Sequence, residues 1–383
     1  MYPGMKELPV TIMRGGTSKG IFIMSHELPA DPKERDREIC KIFGSPDLRQ
    51  IDGLGGADVL TSKLAIISAS DRPDADVEYT FGQVSFEEQM VDYKGNCGNI
   101  SAGVGPYAID KGLVKAVEPV TTVRIYLTNS GKILTEEVPV KDGKPLVYGD
   151  CRIDGVPGTG ARIDIDWSEI VGTFSGSLLP TGNAVDEFEI DGKTYPVSLV
   201  DAGNPLVFIR AESLGMVGTE TPAEIEGDAA LMETIEKIRS RAAVLFHLVE
   251  REEDAYDNSA YIPFFAIVSA PADHTCFNGT EVKAEDVDLV SRLLFMHHMH
   301  KTYPITGTVC TGAAMKVPGT IPWQILSEEA REKTALRIGH PAGTLEVKVD
   351  SDTTTEPATI KYVKVFRTAR KILDGTVYIR TEE

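Results

Sequence analysis

The stretch Pro9-Val-Thr-Ile-Met-Arg-Gly-Gly-Thr-Ser-Lys-Gly-Ile-Phe-Ile23 is echoed by Pro196-Val-Ser-Leu-Val-Asp-Ala-Gly-Asn-Pro-Leu-Val-Phe-Ile209. Each reads as a strand, a glycine-bearing turn and a second strand, and the two runs differ in length by one residue. A supersecondary unit that restarts in mid-chain points to a duplicated domain, with a site in the cleft between the copies. The Gly/Pro-bearing segment Pro180-Thr-Gly-Asn183 is the expected divide, giving domains over 1–183 and 184–373, with 374–383 as a candidate completion of the first.

A second glycine-rich turn lies at Lys94-Gly-Asn-Cys97-Gly-Asn99, followed by Ile100, Val104 and Tyr107 at helical spacing. The pattern predicts that Cys97 opens a helix ending at Lys111-Gly112, where backbone N–H groups attract anions and lower a thiol pKa. Two readings stay open: a reactive thiol, or a small cysteine buried in a turn.

The rest of the composition narrows the function. The chain has 383 residues and a formal net charge of −19, with no basic cluster of the kind that neutralises phosphates, so nucleic acid is excluded as a partner. No apolar run is long enough for a membrane helix, and the N-terminus lacks a basic-then-apolar leader, so a cytoplasmic location is expected. The five cysteines, Cys40, Cys97, Cys151, Cys276 and Cys310, form no Cys-x-x-Cys pair, which disfavours a disulfide framework or a structural zinc site. Acidic residues are absent from Leu8–Ser25, Lys94–Ile109 and Leu293–Ser327. Those windows are where an anion meets no repulsion, although buried segments lack charge in any case.

Several elements follow from local signals. Asp31-Pro32 opens a helix, Leu60-Thr-Ser-Lys63 runs into a strand, and Val77 to Val91 holds two strands. A hairpin spans Val123–Val140 around Asn129-Ser-Gly131, and Arg337–Thr344 is a turn between strands in which His340 is structural. Long amphipathic helices are expected over Ala223–Val249 and Ala284–His300, and Thr306-Gly-Thr-Val-Cys310-Thr-Gly-Ala-Ala314 reads as a second cysteine in a glycine-containing turn. The Met13–Gly20 turn is not a Walker loop, since its glycine spacing and its end do not fit. His297-His298-Met-His300 is not a metal site on this reading, because adjacent histidines on a helix diverge and no carboxylate lies nearby in sequence. Lys63, at the mouth of an apolar strand, reads either as a surface lysine that snorkels or as a desolvated amine able to act as a base.

Five segments in order, Met13-Arg-Gly-Gly-Thr-Ser-Lys-Gly20, Gln50-Ile-Asp-Gly-Leu-Gly-Gly56, Leu60-Thr-Ser-Lys63, Gly95-Asn-Cys-Gly-Asn99 and Arg337-Ile-Gly-His-Pro-Ala-Gly343, resemble the PrpF family from about Pro9 to Arg380. That family includes isomerases of 2-methylaconitate, aconitate and 3-methylitaconate and a tautomerase of 4-oxalomesaconate. The resemblance implies an α+β fold of the diaminopimelate epimerase type, two similar domains each with a mixed sheet rolled around a central helix. It implies a cofactor-independent, metal-free isomerase that shifts a double bond in a small unsaturated di- or tricarboxylate. Phe43-Gly-Ser-Pro-Asp-Leu-Arg-Gln-Ile-Asp-Gly-Leu54 and His300-Lys-Thr-Tyr303 point within the family to 3-methylitaconate going to 2,3-dimethylmaleate. The alternatives are cis-trans isomerisation or tautomerisation of the other acids, or a carboxylate-binding accessory protein without activity. A homo-oligomer is compatible with the family.

By the same resemblance Lys63 and Cys97 handle protons. Gly15, Thr17, Ser18, Ser62, Asn96, Gly98, Asn99, Asn204, Asn278, Cys310, Thr311 and Gly312 are the expected substrate-binding positions. Epimerases of this fold set two cysteines against each other as acid and base. Cys310-Thr-Gly-Ala lacks the residue that they carry between the second cysteine and the following pair, which disfavours an amino-acid racemase.

Overall fold

Alternating burial along Met5–Gly15 sends Leu8 and Val10 into one core, and the strand turns at Gly16-Thr17 into its antiparallel neighbour Ser18–Met24. The computed structural model describes residues 2–356 and 358–381. The chain divides into two compact units, 1–165 with 366–383, and 166–365. The segment between 166 and the turn at Pro180–Asn183 therefore lies in the second unit. Of the candidate completion 374–383, residues 382 and 383 lie outside the described residues.

In the first unit, Ser18–Met24 pairs in parallel with Lys63–Ala69, which pairs antiparallel with Val77–Val84. Val77–Val84 runs parallel to Val120–Leu127, and that strand forms the expected hairpin with Lys132–Lys141. The closing strand Ala369–Arg380 returns to pair along the whole of Met5–Gly15. Helix Pro32–Phe43 is capped by Asp31, with Pro32 in its first turn and Gly44 left-handed after its end. Its Ile39, Ile42 and Phe43 pack with Leu8, Ile21, Ile23 and Leu64. The helix after Cys97 comes in two buried pieces, Gly98–Ser101 and Val104–Asp110.

The second unit is also a mixed sheet. Lys193–Ala202 pairs antiparallel with Asn204–Arg210, which runs parallel to Phe264–Ser269, and the sheet continues through Leu289–Phe295, Ala335–His340 and Gly343–Asp352. All eleven residues of helix Ile305–Met315 are buried, as a central helix requires.

Three sequence expectations are corrected here. Ala284–His300 is a 3-10 turn followed by the strand Leu289–Phe295, not a helix. That strand is buried throughout between sheet neighbours, so both its faces are enclosed, Ser291 and Arg292 included, and its pattern lacks alternation. Ala223–Val249 is broken at Gly227-Asp228 into Pro222–Glu226 and Ala229–Leu245, each with its own side-chain cap, Thr221 and Asp228. Cys310 to Gly312 lie inside a helix rather than in a turn, because the turn before it ends at Pro304.

Candidate active site

Strand register places Lys63 between Gly20 and Gln83. Its side chain does not snorkel: Lys63 is 2% exposed. Nζ donates to Gln83 Oε1 at 2.7 Å and lies 5.3 Å from the centre of the Phe81 ring. Gln83 is held in turn, its Nε2 donating to the carbonyls of Val59 and Ser62 at 3.2 and 3.1 Å. Burial pulls the Lys63 pKa below the ordinary amine value, while the electrostatic influence of the neighbouring Cys97 and of Asp58 pulls it back up. The group facing the amine on Gln83 is a neutral amide, so the strand pair itself does not force the lysine to stay charged.

Cys97 is 5% exposed and caps Gly98–Ser101 in extended conformation. Its carbonyl accepts from both the backbone N–H and the hydroxyl of Ser101, at 2.8 and 2.9 Å, which locks the turn. Gly98–Ser101 is a single helical turn and has little dipole of its own.

The first glycine turn is shaped by Asn99. Gly16 has φ +50°, and a Cβ there would collide with Asn99 Oδ1, while a Cβ on Gly15 would collide with the Asn99 carbonyl. Thr17 N–H donates to Asn99 Oδ1 at 3.4 Å. Ser18 is 2% exposed, and its Oγ is buried with no hydrogen-bond partner, an orphan hydroxyl beside this turn. Asn96 is 1% exposed, in the turn just before Cys97. Lys63, Cys97, Gly15, Thr17, Ser18, Asn96, Gly98 and Asn99 are thus gathered in the first unit around two facing turns. Ser62 is different: its hydroxyl donates to Gln50 Oε1 at 2.7 Å and supports the loop behind Lys63.

The second unit repeats the contact between glycine turn and helix start. Gly203 has φ +78°, a Cβ there would come within 2.9 Å of the Thr306 carbonyl, and Asn204 Nδ2 donates to Thr306 Oγ1 at 3.1 Å. The expected Cys310-Thr311-Gly312 group is dispersed by the helix that carries it. Cys310 donates to the Val200 carbonyl at 3.2 Å, and burial pushes its thiol pKa well up. Thr311 Oγ1 pairs with Tyr303 OH at 3.0 Å, and Gly312 packs on Val347. Asn278 is exposed in another hairpin, its Nδ2 donating to the Ala342 carbonyl at 3.2 Å. His297 stacks on Tyr256 and approaches Glu236 at 3.4 Å, in a strand connection where Met296 and His297 have positive φ. Among the described residues no group of three or more His, Cys, Asp or Glu could hold a metal ion, and no helix is long and apolar enough to cross a membrane.

Two contributors escaped the sequence reading. Gln83 stands opposite Lys63 only through strand register, a signal present in the two predicted strands once they are paired antiparallel. Arg367 donates from Nε to Asn99 Oδ1 at 3.2 Å across a separation of 268 residues, which no local pattern could reveal.

The chain is 52% identical over 374 residues to a 3-methylitaconate isomerase of Eubacterium barkeri, covering 97% of each chain. A crystal structure of methylitaconate-delta-isomerase superposes with a TM-score of 0.80 at 50% identity, over 98% of this chain and 96% of that one. A hydroxyproline epimerase of Agrobacterium vitis matches at TM-score 0.57 and 11% identity, over 100% and 94% of the two chains, a likeness of fold. The fold is that of the diaminopimelate epimerase type. The family model described as PrpF protein matches residues 5–380, and the chain belongs to the PrpF family.

Proposed function

We propose that this chain is a cofactor-independent isomerase that moves a carbon–carbon double bond in a small unsaturated dicarboxylate by 1,3-allylic proton transfer, converting 3-methylitaconate to 2,3-dimethylmaleate. The observation that carries this reading is the buried Lys63 amine, its pKa lowered by desolvation, with the Cys97 thiol as its electrostatic neighbour. The E. barkeri relative gives the substrate its name.

The proton at carbon 3 of 3-methylitaconate is allylic and lies beside a carboxylate. Neutral Lys63 removes it, the C–H pair becomes the new C2–C3 π bond, and the old π pair takes the Cys97 proton at the methylene carbon to give a methyl group. The dienolate-like charge that develops needs fixed donors rather than mobile water. Asn99, Asn96, Thr17 and the orphan Ser18 hydroxyl are the proposed donors to the carboxylates. Turnover leaves a Lys63 ammonium beside a Cys97 thiolate. Their proximity lets the proton return from the ammonium to the thiolate, resetting the pair without an outside acid. None of the five cysteines is joined in a disulfide, in keeping with a cytoplasmic enzyme.

Proton NMR of the purified protein with 3-methylitaconate, cis-aconitate and 2-methylaconitate in separate tubes tests the substrate. Conversion of 3-methylitaconate supports the reading. Turnover confined to another acid overturns the choice of substrate, and conversion of none overturns the reaction.

A further inference from the structure

Asn99 is 1% exposed, and two N–H groups converge on its Oδ1: Thr17 N at 3.4 Å and Arg367 Nε at 3.2 Å. An amide whose oxygen is held by two donors cannot flip without setting N–H against N–H, so its Nδ2 must face away from both. Arg367 is itself 1% exposed, with Nη1 donating to the Phe366 carbonyl at 2.9 Å. Its stem lies against the glycine turn, since a Cβ on Gly16 would come within 3.0 Å of Arg367 Cδ. The neighbouring Thr368 ties the same segment down: its carbonyl accepts from Gly16 N at 2.9 Å and from Arg14 Nη1 at 2.8 Å, and its hydroxyl accepts from Arg14 Nη2 at 2.9 Å.

A guanidinium buried this fully is costly, and no carboxylate lies within ion-pair distance of it among the described residues. Burial lowers its pKa to about 9, against the pull of the Cys151 thiol, a weak and half-exposed partner. A cation kept at such cost on a neutral amide has a use there: it polarises that amide and makes the opposite N–H a stronger donor to an anion. A neutral side chain would satisfy Oδ1 equally well as a matter of packing.

We propose that Arg367 is a positioning residue that fixes and polarises the Asn99 amide, so that Asn99 Nδ2 is presented as a carboxylate donor at the Cys97 turn. This rests on the substrate class inferred above but not on the particular acid. It acts through Asn99, and its effect should vanish when Asn99 is removed.

The test is a double-mutant cycle of Arg367→Lys and Asn99→Ala, read by calorimetric titration with itaconate, which needs no turnover, and by steady-state kinetics on whichever unsaturated acid the wild type isomerises. Arg367→Lys keeps charge and stem, so the fold is retained, but loses the planar fork that reaches Asn99 and Phe366 together. The expected result is a roughly tenfold weaker itaconate Kd and a KM raised more than kcat is lowered in the Asn99 background, shrinking to less than about twofold with Asn99→Ala. Arg367→Met, where it folds, gives the same pattern with a larger first step. Equal factors in both backgrounds, or no effect of Arg367→Lys with Asn99 present, overturn the proposal. Failure of the substrate reading shows separately, as a wild type that binds itaconate but leaves 3-methylitaconate unchanged.

Discussion

Lys63 Nζ and Gln83 Oε1 are 2.7 Å apart across an antiparallel strand pair, both side chains buried. A carboxylate at position 83 would hold the lysine charged; an amide orients it and leaves deprotonation open. Activity is therefore expected to rise with pH along an acid limb whose midpoint lies below the ordinary lysine value of 10.5, as burial dictates. Gln83→Glu should move that limb to higher pH, with kcat/KM at neutral pH falling about tenfold for each pH unit the limb moves. A pH–rate profile of both proteins checks it, and an unmoved limb would remove Lys63 as the titrating base.

Cys97 and Cys310 should separate in function. Cys97→Ser is expected to lose at least about a hundredfold in kcat, the scale of a general acid. Cys310 faces the Val200 carbonyl from inside its helix, so Cys310→Ala should keep activity within about tenfold while lowering stability by about 1 kcal/mol. Turnover numbers and urea midpoints for the two variants decide it.

Gly16→Ala should damage the site without touching its chemistry. The added methyl meets Asn99 Oδ1 and demands a left-handed backbone from alanine, a cost of about 1 kcal/mol before any clash. Loss of itaconate affinity by more than about tenfold is expected by calorimetry, together with a lowered Tm.

Glu136 supplies a pH test of stability. It is fully buried, its Oε2 accepting from Gly105 N at 2.9 Å and its Oε1 without a partner, and burial raises its pKa from 4.5 to about 8. With the folded value above the unfolded one, the native state holds the proton more tightly. The stability this gives is present in full below the unfolded value and is lost as pH rises through the folded one. Glu136→Gln, which cannot ionise, should exceed wild type by a few kcal/mol at pH 9, at most about 1.4 kcal/mol for each pH unit separating the folded and unfolded values, with the gap narrowing towards pH 5. Urea titrations at the two pH values measure it.

Legibility varied with sequence distance. The repeated strand–glycine turn–strand was readable because Gly16 and Gly203 both need positive φ to seat on the first turn of a helix, at Asn99 and at Thr306. Cys97 was readable from the glycines around it. Lys63 was found at the mouth of its strand, but its burial was not, since an amine's environment depends on neighbours such as Phe81 and Gln83. Leu289–Phe295 was misread because a strand buried on both faces loses its period of two. Arg367 lay beyond reach, near Asn99 only because the chain returns along Met5–Gly15.

The most direct test of the Lys63–Cys97 pair is to separate proton removal from proton return by following 3-methylitaconate in D₂O with Lys63→Ala and Cys97→Ala. With the thiol gone, Lys63 should still exchange the carbon 3 proton for deuterium while 2,3-dimethylmaleate forms at least about a hundredfold more slowly. With the amine gone, neither exchange nor product should appear. Deuterium entering carbon 3 in Lys63→Ala but not in Cys97→Ala would contradict the account and make the thiol the base.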